Sequence, residues 1–234
     1  MRQNLVRWGG AAAIACALLL LVRAIADLTL DADIYSDDAV DFLPAIEFNR
    51  SGVLMASLMA LLTPLAVIPF LLGLYLAVRE DDRPLAALSV GFSGFGLIAF
   101  VAAFVVYAME LQVASEFLTA RDAVRAAIAQ DGEMLILAFI LLQQVAYAAF
   151  GVGTVLAGAL LLRTPLVPKW LAYATFAVGV LQFGFFIVDW LVVWVHPLWL
   201  AGVGWYLYER AGYVPPATPQ PVTARRTSMF EPER

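Results

Sequence analysis

The chain has 234 residues, 63% of them hydrophobic and 14% charged, with a mean hydropathy of +0.85 and a single lysine. A soluble domain is about half apolar and about a quarter charged, and a disordered chain is charged and poor in hydrophobic residues, so this composition excludes both. A net charge of -5 without any basic run disfavours nucleic-acid binding, and one cysteine, Cys16, excludes an internal disulfide or a cysteine-rich metal knuckle.

A helix that crosses roughly 30 Å of hydrocarbon at about 1.5 Å per residue needs about 20 apolar residues. Six runs qualify: 8–26, 53–78, 84–108, 134–162, 168–188 and 190–208. None shows the strict alternation of a transmembrane barrel strand. The expected fold class is therefore all-α, a polytopic transmembrane helix bundle of six spans over residues 1–210, followed by a cytoplasmic tail over 211–234.

In the first run, Arg2 and Arg7 precede an apolar stretch ending in Ala24-Ile25-Ala26, the layout of a secretory signal with a small-residue cleavage site. Cleavage would leave five spans and an external amino terminus. Arg23 just before that site, and the small-residue row Gly9, Ala13 and Ala17, instead suit a retained span packed on a neighbour. The segment from Asp27 to Arg50 is acidic, with Asp31, Asp33, Asp37, Asp38, Asp41 and Glu47. It fails the twelve-residue EF-hand pattern, because Ser36 stands where glycine is required and Phe42 where glutamate is. Asn49-Arg50-Ser51 has glycosylation spacing but adjoins a span.

Ser89, Gly91, Ser93, Gly94 and Gly96 crowd the third run, and Ala149, Gly153 and Ala157 form a row in the fourth; both predict close helix contact. Between these runs, Ser115 to Gly132 reads as a short amphipathic surface helix. Phe117, Leu118, Val124 and Ile128 would face the membrane, Arg121, Asp122 and Arg125 water, and Thr119 with Asp122 resembles a capping box. Arg79 and Pro84 match Arg163 and Pro168 in spacing, as an internal repeat would, although basic inner loops and proline helix starts produce the same match. The turn between the fifth and sixth runs falls near 188–195, with Pro197 either in a first turn or kinking a longer helix. Beyond Gly212, Pro215, Pro216, Pro219, Pro221 and Pro232 predict an extended, coreless tail in which Arg225-Arg226-Thr227-Ser228 reads as solvated chain, with a phosphorylation or anionic-lipid site as the alternative.

Basic residues near span ends are retained in the cytoplasm. With the amino terminus inside, Arg2, Arg7, Arg79, Arg83, Arg163, Lys169, Arg210, Arg225, Arg226 and Arg234 lie inside, against Arg23, Arg50, Arg121 and Arg125 outside. Both termini are therefore expected in the cytoplasm and the protein in the inner (plasma) membrane. Trp8, Trp170, Trp205 and Tyr208 then mark the inner interface, and Trp190, Trp194 and Trp199 lie toward the outer one.

Ionisable groups in or beside spans are functional candidates because burying them is costly. Arg23, Asp27, Glu47, Arg50, Glu110, Asp189 and His196 all fall at external helix ends, where they could line a ligand-binding polar cup or simply snorkel to water. Gln143 and Gln144 in the fourth run and Gln182 in the fifth fall near mid-depth, as interhelical hydrogen-bond donors or as a polar lane. No catalytic residue and no metal set is assigned: HExxH, GxSxG and the phosphate-binding loop are absent, a lone histidine cannot ligate haem from both sides, and Lys169 is misplaced for a retinal. Asp189, His196 and Glu110 could in principle hold a zinc or run acid–base chemistry, although a histidine beside proline at an interface more often hydrogen-bonds locally.

Arg163-Thr-Pro-Leu-Val-Pro-Lys-Trp-Leu171, a short basic loop entering a proline-started span, and Leu72 to Pro84, which ends a span in Arg79 and a charged turn, resemble an uncharacterised family of bacterial six-helix integral membrane proteins classified only as a domain of unknown function. The likeness covers residues 5 to 210 in layout. It implies a six-helix inner-membrane protein and transfers no catalytic residue or cofactor. The acidic first loop and the proline-rich tail depart from it. The expected activity is non-enzymatic binding of a partner or a lipid, with a small transporter or sensor using the polar cup as the alternative and an intramembrane enzyme third. Expected partners are the lipid bilayer and either another membrane protein or a second copy of the chain.

Overall fold

The computed structural model describes residues 1–28, 38–183 and 185–213, apart from the side chains of Asp27, of 185–193 and of Tyr213. The expectations for Asp31, Asp33, Ser36 and Asp37, for the side chains of Asp27, Asp189 and Trp190, and for the tail beyond residue 213 lie outside the described residues. Within them the chain is helical: α1 (Arg2–Asp27), α2 (Ala39–Phe48), α3 (Arg50–Val78), α4 (Arg83–Thr119), α5 (Asp122–Leu161), α6 (Lys169–Phe183) and α7 (Phe185–Arg210), followed by a 3-10 turn over Ala211–Tyr213. Among the described residues, α1, α3, α4 and α5 are long and apolar enough to cross a membrane.

The six longer helices pack in chain order, α1 on α3, α3 on α4, α4 on α5, α5 on α6 and α6 on α7, and α7 returns to α1. The result is a closed up-and-down ring. One end of the ring gathers the start of α1, the α3–α4 turn, the α5–α6 connection and the end of α7. There Arg2 bonds the Leu76 carbonyl at 2.6 Å and pairs with Glu80 at 3.3 Å, Arg163 pairs with Asp82 at 3.0 Å, and Gln3 donates to the Gly212 carbonyl. Asp82 also caps α4 by accepting from the Leu85 amide at 3.1 Å, with Pro84 in the first turn where its missing N–H costs nothing.

Glycine and serine set the close crossings, because apolar side chains gain nothing by leaving lipid for each other and backbone approach must supply the attraction. A Cβ on Gly9 would stand 2.6 Å from the Gly73 Cα, and one on Gly10 would stand 2.5 Å from the Tyr208 amide nitrogen, so α1 is wedged between α3 and α7. Ser89 donates to the Gly153 carbonyl at 2.8 Å across the α4–α5 contact. The small residues Gly9, Ser89, Gly96 and Gly153, expected at contacts, are indeed contact points, whereas Gly91 and Gly94 face open space.

Three boundaries differ from those the sequence predicts. Ser115 to Gly132 is not one surface helix: α4 runs on to Thr119 and α5 starts at Asp122. No proline falls between Pro84 and Pro165 to stop them, and Gln112 bonds Glu116 one turn on at 3.0 Å, so the helices continue past the apolar runs for 37 and 40 residues, about 55 and 60 Å. Thr119 is accordingly no N-cap; its hydroxyl donates back to the Ser115 and Glu116 carbonyls at 3.1 Å. The acidic segment contains α2, capped by Asp38 accepting from the Val40 amide, and α2 packs on the extensions of α4 and α5. Finally, α6 ends at Phe183 and α7 begins at Phe185, earlier than expected, which leaves Pro197 inside α7.

Two apolar clusters result. The larger joins α1, α3, α4, α5, α6 and α7, and includes Val67, Phe70, Leu74, Leu97, Leu171 and Trp199. The second lies under α2, where Phe42, Leu43 and Ile46 meet Phe104, Tyr107 and Leu111 of α4.

Candidate functional site

A closed ring of helices leaves a space on its axis unless large side chains fill it. Here the space persists as a cavity of about 90 Å³ bounded by α1, α3, α4, α5 and α7. Along α3 its wall runs from Thr63 to Leu74, about 16 Å at about 1.5 Å per residue. Val67, Phe70, Leu71 and Leu97 make most of it apolar, and Ser89, Ser93, Thr154 and Tyr147 add hydroxyls. Among the described residues, Arg23 is the one permanent charge in its lining.

Arg23 lies on α1 about 31 Å from Arg2, so it reaches the cavity from the end opposite the basic cluster. Its guanidinium carbon sits 4.5 Å from the Phe104 ring centre and 5.9 Å from that of Phe100. A half-buried cation held against ring faces gains about 1 kcal/mol, which offsets part of the cost of placing it there. Phe104 belongs to the second core, so Arg23 stands where the cavity meets that core.

The α7 wall is built by His196, Pro197, Trp199 and Leu200, of which His196 and Trp199, three apart, share a helix face. Gln182 Nε2 lies 2.9 Å from His196 Nδ1. An amide nitrogen can only donate, so Nδ1 accepts and the ring proton sits on Nε2. Trp199 Nε1 donates to Thr175 Oγ1 at 2.9 Å, and Thr175 in turn donates to the Leu171 carbonyl at 2.8 Å. Thr175 and Gln182 are two turns apart on α6, so one stripe of α6 holds both α7 side chains in place. His196 meets Trp199 edge-on at 5.2 Å, and Trp199 meets Phe70 edge-on at 6.5 Å, which continues the wall across to α3.

The sequence-derived residues separate as follows. Arg23 and His196 line the same cavity. Glu47 and Arg50 form an exposed ion pair of 2.8 Å at the α2–α3 corner, away from it. Glu110 is fully buried, and its neighbours on the same face of α4, Tyr107, Leu111 and Ala114, belong to the core under α2. Asp27 ends α1 and Asp189 lies in α7, with side chains outside the described residues. Gln182, 1% exposed, is sealed between helices, whereas Gln143 and Gln144 are half-buried on α5 and do not line the cavity. Among the described residues no group of three histidine, cysteine or carboxylate side chains could hold a metal. Sequence reasoning missed Trp199, Tyr147 and Thr154 as cavity residues; the signal was their shared register with His196 and with Gly153, which is visible only once the partner helices are known.

Helices long and apolar enough to span a bilayer, closed around an apolar cavity, define a helical membrane-spanning protein. The chain belongs to the family described as Domain of unknown function (DUF4386), which matches residues 11–208. No curated protein and no solved structure matches it.

Proposed function

We propose that this is a six-span, multi-pass protein of the inner membrane, with both termini cytoplasmic, that binds a single-chain amphiphile without chemically altering it. The end of the tail enters the ring cavity and an anionic head lies toward Arg23. The observation that carries this reading is the cavity itself: about 90 Å³, room for a few methylene groups, walled mostly by apolar side chains and with its permanent charge at one end. The orientation is supported by the gathering of Arg2, Arg79, Arg163, Lys169 and Arg210 at one end of the ring, with Trp8, Trp170, Trp205 and Tyr208 exposed there. Sealing of Gln182 favours binding over a transporter's water-filled lane, while the joint presence of Arg23 and His196 on the wall keeps the transporter as the second reading.

Ala157 lines the bore, and Ala157→Phe would fill it. Full-length protein in detergent, analysed by native mass spectrometry after incubation with a long-chain fatty acid, should retain one molecule. Ala157→Phe should lose it while remaining folded, and Arg23→Gln should weaken the acid more than the corresponding alcohol. Equal retention by wild type and Ala157→Phe, or no retention by wild type, overturns the proposal.

A further inference from the structure

At the basic end of the ring, a second concavity of about 340 Å³ lies on the outer surface of the α1–α7 seam, lined by Asn4, Arg7, Trp8, Ala11 and Tyr208. Its origin is in the spacing. Residues 4, 7, 8 and 11 fall on one face of a helix, while Gly9 and Gly10 face the other way and draw α1 against Gly73 of α3 and the backbone of α7 at Gly204 and Tyr208. The crossing is so close that Tyr208 stands beside Arg7, its ring centre 5.6 Å from the guanidinium carbon, and Ala11 is too small to fill the step beneath. Trp8 is 71% exposed and Tyr208 44%.

Among the described residues the charge in this groove is uncompensated, which distinguishes Arg7 from most of its neighbours. At the same end Arg2 and Arg79 are engaged by Glu80, Arg163 by Asp82, and Lys169 and Arg210 by backbone carbonyls. Among the described residues Arg7 has no ion pair and no hydrogen bond, only the Tyr208 ring, which orients the guanidinium without neutralising it. Arg83 is equally free among the described residues and is exposed, but lines no groove.

We infer that the α1–α7 groove is a binding site for the phosphate of an anionic membrane phospholipid. Arg7 supplies the planar, bidentate donor that matches a phosphate, and the Asn4 amide, one turn nearer the helix end, supplies a further donor. Trp8 and Tyr208 are the aromatic pair suited to the glycerol level of an interface, and the step over Ala11 takes the start of the acyl chains. The site is separate from the ring cavity and does not depend on what that cavity holds.

The probe is the full-length protein in nanodiscs of phosphatidylcholine with phosphatidylglycerol as the titrated component, read by native mass spectrometry of the released protein. Wild type should retain phosphatidylglycerol over phosphatidylcholine, Arg7→Gln should lower that preference about fivefold, Arg7→Lys should recover part of it, and Arg83→Gln should leave it unchanged. An equal loss in Arg83→Gln would mean general surface attraction and overturn the site, as would an unchanged preference in Arg7→Gln. Inorganic phosphate at millimolar concentration should not displace the lipid; full displacement would mark a site for soluble phosphate and overturn the lipid assignment.

Discussion

Glu110 is fully buried, and neither of its carboxyl oxygens has a hydrogen-bond partner among the described residues; the Ser57 hydroxyl, on α3 between Val53 and Ala60 of the same core, is likewise unpartnered there. Leaving such groups unsatisfied costs about 1–3 kcal/mol each. A chain selected only for packing would carry an apolar residue at 110, because the core under α2 in which it lies is built mainly of apolar side chains such as Phe104 and Leu111. Glu110→Met keeps the length and removes both oxygens. The expected outcome is a gain of about 1–3 kcal/mol, read as a higher thermal midpoint of the full-length protein in detergent. A lowered midpoint would mean that something outside the described residues bonds this carboxyl. Arg23 and Glu110 differ in setting: Arg23 is half-buried, rests on the ring faces of Phe100 and Phe104 and borders the cavity, whereas Glu110 is fully buried beside the core under α2.

Helix contacts in this molecule are concentrated at points where a single methyl group would not fit. A Cβ on Gly10 would meet the Tyr208 amide nitrogen at 2.5 Å and the Gly204 carbonyl at 2.6 Å, both backbone atoms that cannot turn aside. Gly10→Ala should therefore destabilise the fold by about 1–3 kcal/mol. Gly91→Ala, where nothing lies within 4 Å, should be neutral or stabilise by up to about 1 kcal/mol through helix propensity. Thermal midpoints of the two variants, measured side by side, check the contrast; equal midpoints would mean that α1 does not close on α7 as described. Helix positions were legible in the sequence because an apolar run of bilayer length exceeds what a soluble core needs to bury, and small-residue rows marked contacts because only they let backbones approach in lipid. Helix ends were less so: Glu110, Gln112 and Glu116 read as the chain leaving the membrane, but polarity does not stop a helix and no proline intervenes, so α4 simply continues. His196 reads as an external residue only if α7 begins late; with α7 starting at Phe185 it comes to face Gln182 instead.

At the scale of the molecule, the cavity exists because the ring closes, and α1 closes it. Cys16, Leu20, Arg23 and Ala24 form one side of the bore, while the opposite flanks of α1 rest on α3 and α7. No other helix could replace it, since α3 and α7 touch each other only slightly. Removing residues 1–27 should therefore open the bore to lipid along its whole length, strip Thr63 and His196 of their cover, and leave Gly73 and Gly204 with no helix to pack on. The shortened chain is expected to lose its monodisperse peak in size-exclusion chromatography. Co-expressing residues 1–27 as a separate segment should restore both that peak and fatty-acid retention, because the contacts that seat α1 are side-on and need no covalent link to α2. Restoration should fail when the separate segment carries Gly10→Ala, since that methyl blocks the α7 crossing. A shortened chain that remains monodisperse and still retains the fatty acid would place the ligand elsewhere and separate the role of α1 from that of the cavity.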